Sequence, residues 1–373
     1  MVFGFWRLLL VGALLGTADL AAAERFRVKY FFDEHEQSLG IIELKFLSAR
    51  RAVAIGRLDG KTRLAGVMIS TNDGGETWQQ EPLKDLPLSI FFLNDSLGWM
   101  VGQRGIWQTE EGGRSWRKVS GEQGIAKVHF LDAQRGFAVG APKKFVSTTD
   151  GGKTWKKVPA GDLPETRPES TIYSQIESPG PNWLLVAGSS IPPRNMRRFD
   201  LPAWLEPEDA KRRTQRPTVM VVIESRDGGV TWHHGTTSMF GRISRVTAGS
   251  AALGLSIFQF DDQFDWPSEI FKLTFSNGRS TRVFRYKDRL ATDALMTPSL
   301  AYVAAIEPAT EIRGIPIPGK VHVLRALSPE MDRWLELPVD YRAVASRATL
   351  SQSPDGSIWL ATTAGMILKL EDR

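Results

Sequence analysis

Four acidic residues recur in nearly the same local sequence: Asp73, Glu111, Asp150 and Asp227. A series of carboxylates could hold a metal ion or, in pairs, do acid–base work. Their neighbours point elsewhere. The segments Thr71-Asn72-Asp73-Gly74-Gly75-Glu76-Thr77-Trp78, Thr109-Glu110-Glu111-Gly112-Gly113-Arg114-Ser115-Trp116, Thr148-Thr149-Asp150-Gly151-Gly152-Lys153-Thr154-Trp155 and Ser225-Arg226-Asp227-Gly228-Gly229-Val230-Thr231-Trp232 share the pattern Ser/Thr-x-Asp-x-Gly-x-Thr-Trp. A carboxylate at the third position can accept backbone N–H groups of a tight turn, and the glycines permit positive φ. The indole that follows packs between neighbouring units. These residues are expected to build turns, with no catalytic role.

The remaining candidates are weaker. Asp261, Asp262 and Asp265 could pair as in a glycosidase, although single-sign clusters are commonly just solvated. His233 and His234 are adjacent, so on a strand they face opposite sides and do not share one metal; His35, His129 and His322 stand alone. Tyr173 and Tyr302 could face a central channel. With no cysteine in 373 residues, disulfides, thiolate metal sites and a cysteine nucleophile are excluded. The sequence calls for no catalytic residue, no metal and no cofactor.

The spacing of the four segments defines the elements that carry them. Trp78 to Trp116 is 38 residues and Trp116 to Trp155 is 39, the length of a four-stranded propeller blade. A second marker runs in phase, a strand ending in glycine: Ala52-Val53-Ala54-Ile55-Gly56, Gly98-Trp99-Met100-Val101-Gly102, Gly136-Phe137-Ala138-Val139-Gly140 and Trp183-Leu184-Leu185-Val186-Ala187-Gly188. Alternating apolar runs such as Leu88–Phe92 and Ala126–Phe130 precede it. Turn remnants persist at Asn277-Gly278 and at Ser328–Trp334. Strand groups place six blades near residues 40–82, 87–120, 124–160, 170–237, 241–286 and 290–338, and three further strands between Ala343 and Leu370. The fourth strand of that last sheet is expected from Arg25–Phe31, which closes the ring and removes an open edge. The expectation is an all-β fold, a single seven-bladed β-propeller over residues 24–373, with six and eight blades as the neighbouring counts.

One segment is not required by the repeat. Gly188 to Asp227 is 39 residues where Gly140 to Asp150 is 10, so the surplus falls in one loop, about 191–217, in the fourth blade. It should emerge opposite the box turns. Arg194, Arg197, Arg198, Phe199, Trp204, Lys211, Arg212 and Arg213 mix basic and aromatic anchors suited to a protein contact, and a solvated insertion is the alternative.

These boxes and the phased Gly-Trp/Phe-x-Val-Gly strands resemble the Asp-box (BNR repeat) superfamily, most closely photosystem II stability/assembly factor-like propellers. The resemblance assigns structural box roles to Thr71, Asp73, Gly75 and Trp78, to Glu111, Gly113 and Trp116, to Asp150, Gly152 and Trp155, and to Asp227, Gly229 and Trp232. It implies a non-catalytic propeller that binds a protein partner. It leaves open a carbohydrate-active alternative, a sialidase-like hydrolase or lectin-like glycan binder. The sialidase Phe/Tyr-Arg-Ile-Pro segment is absent, Arg313-Gly314-Ile315-Pro316 being a distant echo, and the length excludes the two propellers of a xyloglucanase.

Residues 1–23 read as an export leader: Arg7, the apolar Leu8–Leu15, then Ala21-Ala22-Ala23 before Glu24. The net charge of +5 is a mild excess that suits acidic protein surfaces or anionic headgroups and gives no case for nucleic acid. A periplasmic or secreted protein with a protein partner is the expectation, a membrane-associated partner being one form of it.

Overall fold

The computed structural model describes residues 24–34, 36–60, 63–190, 218–260, 267–298, 300–307, 311–312, 315–316 and 318–372. Apart from two short 3-10 turns, its regular elements are all strands. Seven antiparallel sheets form the blades; the four blade strands of the first six pair in sequence order, Val344–Ala345 adds a fifth strand to the sixth sheet by pairing with Gly319–Ala326, and Glu311–Ile312 pairs with Ile315–Pro316 in a separate two-stranded sheet. Blade 1 comprises Ser38–Phe46, Ala52–Asp59, Leu64–Thr71 and Gln79–Leu83. Blade 2 runs from Pro87–Phe92 to Arg117–Ser120, and blade 3 from Ile125–Phe130 to Lys156–Lys157. Blade 4 spans Thr171–Gly180 to His233–Met239, and blade 5 Gly241–Ala248 to Arg279–Tyr286. Blade 6 spans Leu290–Met296 to Trp334–Leu337.

Blade 7 takes Ala348–Gln352, Ile358–Thr362 and Met366–Glu371 from the C-terminal end of the chain and Arg25–Phe31 from the other. Val28 lies opposite Leu368 and Tyr30 opposite Ile367 in that pairing. Phe26 is fully buried in the core shared by blades 6 and 7, and its N–H donates to Pro338 O at 2.8 Å. The first strands of successive blades neighbour one another around the axis, and blade 7 returns to blade 1.

Apolar side chains alternate along the strands and fill the seams. Blade 1 meets blade 2 through Val53, Ile55, Met68, Ile90, Met100 and Trp107. Blade 7 meets blade 1 through Trp359, Ile367, Ile41 and Ile69. Between blades 2 and 3, Trp99 stacks on Phe130 at 3.6 Å with their planes 5° apart. Trp183 of blade 4 meets Phe275 of blade 5 at 5.3 Å, with the Arg226 guanidinium 4.3 Å from the Trp183 ring centre. Packing of this kind supplies the core that disulfides would otherwise supplement.

Candidate binding site at the propeller axis

The two ends of the propeller differ. At one end lie the turns joining first to second and third to fourth strands. In blades 1 to 4 these are fastened together: Gly74 N donates to Arg50 O, Gly112 N to Ser96 O, Gly151 N to Gln134 O and Gly228 N to Asn182 O, at 2.7–2.9 Å. Asp73 accepts Glu76 N at 3.1 Å, Thr77 N at 3.0 Å, Thr77 Oγ1 at 2.5 Å and Thr71 Oγ1 at 2.7 Å. Asp150 and Asp227 accept the same set from Lys153, Thr154 and Thr148, and from Val230, Thr231 and Ser225. The hydroxyls and amides of Thr77 and Thr154 hold Asp73 and Asp150 far below the ordinary carboxylate range, and those of Thr231 bring Asp227 to about 2. Trp78, Trp155 and Trp232 each donate their indole N–H to the carbonyl three residues earlier, at 3.0 Å.

The second glycine of each box meets the preceding blade. Gly75 lies against Trp359, Gly152 against Trp99 as well as Phe130 of its own blade, Gly229 against Phe137 and Gly113 against Val53, all with φ of +90° to +92°. In blades 1, 3 and 4 an aromatic of the preceding blade's second strand, Trp359, Trp99 or Phe137, is thus part of the surface onto which the box closes, and in blade 2 Val53 takes that place. The four box acids stand on this outer rim with their oxygens engaged by their own turns.

Near the other end, the axis is lined by a tier of unlike side chains. The first strands of blades 1 to 6 each carry a bulge, and the paired residue after it is Glu43, Ser89, Lys127, Gln175, Arg245 or Asp293. Blade 7 has no bulge and places Thr349 there, opposite Ala361. Six members reach to the first strand of the next blade. Glu43 accepts Ile90 N at 2.8 Å, Ser89 donates to Ala126 O at 2.7 Å, and Lys127 donates to Gln175 Oε1 at 3.2 Å. Gln175 donates to Ser244 O at 2.9 Å, Arg245 meets Asp293 at 2.8 Å, and Asp293 accepts Leu350 N at 2.7 Å. Glu177, one strand repeat below Gln175, takes the other side of Arg245 at 3.3 Å. Burial and then Arg245 bring the Lys127 ammonium down to about 8, and burial brings His129, against Phe91, down to about 4.

Sequence reasoning singled out none of the tier. The signal was a polar residue inside each apolar first strand, but a bulge shifts the alternation by one and hides which polar residues share a level. Of the residues that were singled out, Tyr173 is buried and donates its hydroxyl to Gly161 O at 2.6 Å, while burial raises it to about 12. Tyr302 belongs to blade 6, near Arg325. His233 and His234 pair with Glu224 and Ile223 on an outer strand. His322 lies between Glu307, 2.7 Å away, and Glu336. Among the described residues no group of three or more His, Cys, Asp or Glu is arranged to hold a metal. Arg194, Arg197, Arg198, Phe199, Trp204, Lys211, Arg212, Arg213, Asp261, Asp262 and Asp265 lie outside the described residues. The anchors of the blade-four insertion, Ser190 and Thr218, belong to paired strands that end at the axial tier's end of the propeller.

No family model matches the chain. Photosystem II assembly lipoprotein Ycf48 of Synechococcus sp. (strain CC9902) is 23% identical over 177 residues, 46% of this chain and 43% of that protein. The chain spans less than half the length of the curated relatives it matches. Among solved structures, YCF48 from Cyanidioschyzon merolae superposes with a TM-score of 0.58 at 13% identity, covering 94% of this chain and 99% of that one. A structure of YCF48 bound to D1 peptide gives 0.54 at 14% identity, covering 91% and 98%. At such identities the likeness is one of fold: the chain is a seven-bladed β-propeller of the architecture that Ycf48 also has.

Proposed function

We propose that this protein is an exported, non-catalytic propeller that docks a protein segment, in an assembly or stabilising role, on the end opposite its box turns. The asymmetry of the two ends carries the reading. One end is built of short turns tied to themselves. The other anchors the 27-residue insertion 191–217 and exposes Phe31, Leu64, Ile172, Tyr341 and Val344, against Val230 and Leu327 at the box end. Exposed aromatic and aliphatic side chains beside a basic, aromatic loop suit a peptide or protein contact. The YCF48 structure with D1 peptide supports a peptide as the class of ligand that this architecture accommodates. The leader-like residues 1–23 support export, and a membrane-associated partner fits the basic loop.

A hydrolase reading would need carboxylates free to donate and accept protons. Glu177 and Asp293 flank one guanidinium, and Glu43 is engaged by a backbone amide. The deciding experiment is a pull-down from the native envelope with wild type and an Arg197→Ala, Arg198→Ala, Arg212→Ala, Arg213→Ala variant. Wild type should retain a partner that the variant loses. Equal recovery by both removes the insertion from the contact, and robust turnover of chromogenic glycosides, a sialoside included, reverses the non-catalytic reading.

A further inference from the structure

At the box end, one seam of the propeller holds a guanidinium that the next seam lacks. Between blades 1 and 2, Arg51, the last residue before the second strand of blade 1, reaches across and donates Nη2 to the carbonyls of Glu111 and Gly112 in the box of blade 2, at 3.3 and 3.4 Å. It fills the seam: a Cβ on Gly112 would stand 2.4 Å from that nitrogen and 2.5 Å from Asp95 O. Between blades 2 and 3 the repeat puts Leu97 in the place of Arg51, each closing a turn by accepting the amide of Leu93 or Leu47 at 2.9 Å. A Cβ on Gly151, the counterpart of Gly112, would have Ala133 O at 3.1 Å as its nearest atom and then Gln108 Nε2 at 3.8 Å. The backbone is repeated and the guanidinium is not.

An open cleft of about 500 Å³ lies at that point, lined by the turn 94–97, by Gln108 and Glu110 of blade 2, and by Ala133 and Gln134 of blade 3. Two carboxylates stand on its walls. Asp95 is exposed, bonds the Ser96 hydroxyl at 3.3 Å, and has no ion-pair partner among the described residues. Glu110 is exposed and lies 3.9 Å from Arg117, whose guanidinium donates to Gln108 Oε1 at 3.1 Å. In the blade 3 turn, Arg135 is held by Asp132 at 2.7 Å.

We propose that this cleft binds the guanidinium of an arginine side chain presented by a partner protein, in the position that Arg51 fills from within the chain one seam earlier. Trp99 already donates to Gly151 O at 2.9 Å, so the incoming group draws its counter-charge from Asp95 and Glu110. A planar fork of donors suits acceptors spread along a seam better than a compact ammonium does. The cleft lies on the end opposite the blade-four insertion, so the pull-down variant and the variants below fail or succeed independently.

The test titrates the full-length protein, at constant ionic strength, with blocked tripeptides carrying a central arginine, lysine or glutamine, and follows amide resonances by NMR. The arginine peptide should shift Asp95, Gln108 and Gly151 saturably, and the lysine peptide should bind about threefold more weakly. The exposed pair Asp95→Asn with Glu110→Gln should weaken the arginine peptide about fivefold, as two exposed ion pairs allow. Leu97→Arg, which supplies the guanidinium from within, should abolish the saturable shift. Absence of a saturable shift in wild type, equal binding of the three peptides, or undiminished binding in either variant overturns the site. Unfolding midpoints show that each variant is folded, and should Leu97→Arg not fold, the carboxylate variant decides.

Discussion

The outer rim and the axis of this propeller use the same backbone repeat in opposite ways. At the rim, blades 1, 3 and 4 place the same residue types in the same geometry, down to the 3.0 Å indole bond of Trp78, Trp155 and Trp232. At the axis, one register position carries seven different residues: Glu43, Ser89, Lys127, Gln175, Arg245, Asp293 and Thr349. Rim carboxylates are stabilised in their charged form by their own turns, whereas Lys127 is disfavoured in its charged form by its surroundings. Repetition therefore marks what the blades need in order to stack. Individuality at an equivalent position marks where folding alone does not choose the residue.

The strongest way to break this contrast is at the rim. Trp99 is fully buried, stacks on Phe130 and donates its N–H to Gly151 O at 2.9 Å, so it joins blade 2 to the box of blade 3. Trp99→Ala should cost about 3–5 kcal/mol in urea unfolding. A cost below 1 kcal/mol would mean that the seam is not a unit of stability. Gly229→Ala should follow at about 2–4 kcal/mol, because φ is +90° and a Cβ would stand 2.3 Å from Phe137 Cζ. A neutral result there would show that the box does not close on the preceding blade.

The axis should respond with the other sign. Lys127 titrates near 8 when folded and at the ordinary 10.5 when unfolded. Its contribution is most favourable above pH 10.5 and is lost as the pH falls through 8. At pH 7 Lys127→Met should therefore stabilise the protein, by about 2–3 kcal/mol, and abolish the rise in stability between pH 8 and 10.5. Destabilisation by this variant would mean that the ammonium is satisfied in the fold. His129, near 4 when folded, loses its contribution as the pH falls from 6.5 through 4, and His129→Phe should flatten that limb. Asp227 acts lower still: its contribution is present above the ordinary 3.8 and disappears as the pH falls through about 2.

Legibility in the sequence divides along the same line. The box residues and the Gly-Trp-x-Val-Gly strands recur at one period, so blade boundaries and the pairing of Val28 with the C-terminal strand could be read without coordinates. The box remnant at Ser328 was legible too: Trp334 donates to Met331 O at 3.0 Å, with Met331 at φ +60°. The axial tier was not legible, for two physical reasons. Bulges before Glu43 and Lys127 break the period-2 pattern that sequence reasoning relies on, and bonds such as that of Lys127 to Gln175 or of Asp293 to Leu350 N join neighbouring blades that are distant in the chain.

Blade 2 tests the contrast most finely, because its box departs from the pattern. Glu111 replaces the aspartate; its carboxylate accepts Ser115 Oγ at 2.6 Å, and Thr109 Oγ1 accepts the amides of Glu111 and Gly113. The extra methylene carries the oxygens past the amides of residues 114 and 115, which the aspartates of the other boxes engage at the equivalent positions. The Trp116 N–H is buried without a partner among the described residues, in contrast to its three counterparts. Glu111→Asp should draw the turn into the common geometry and bring Trp116 onto Gly113 O. A gain of about 1 kcal/mol follows from satisfying one buried donor. Urea unfolding reads the gain, and the indole N–H resonance of Trp116 should become protected from exchange. An unchanged midpoint with unprotected Trp116 would show that the longer acid is not the cause of the loosened turn.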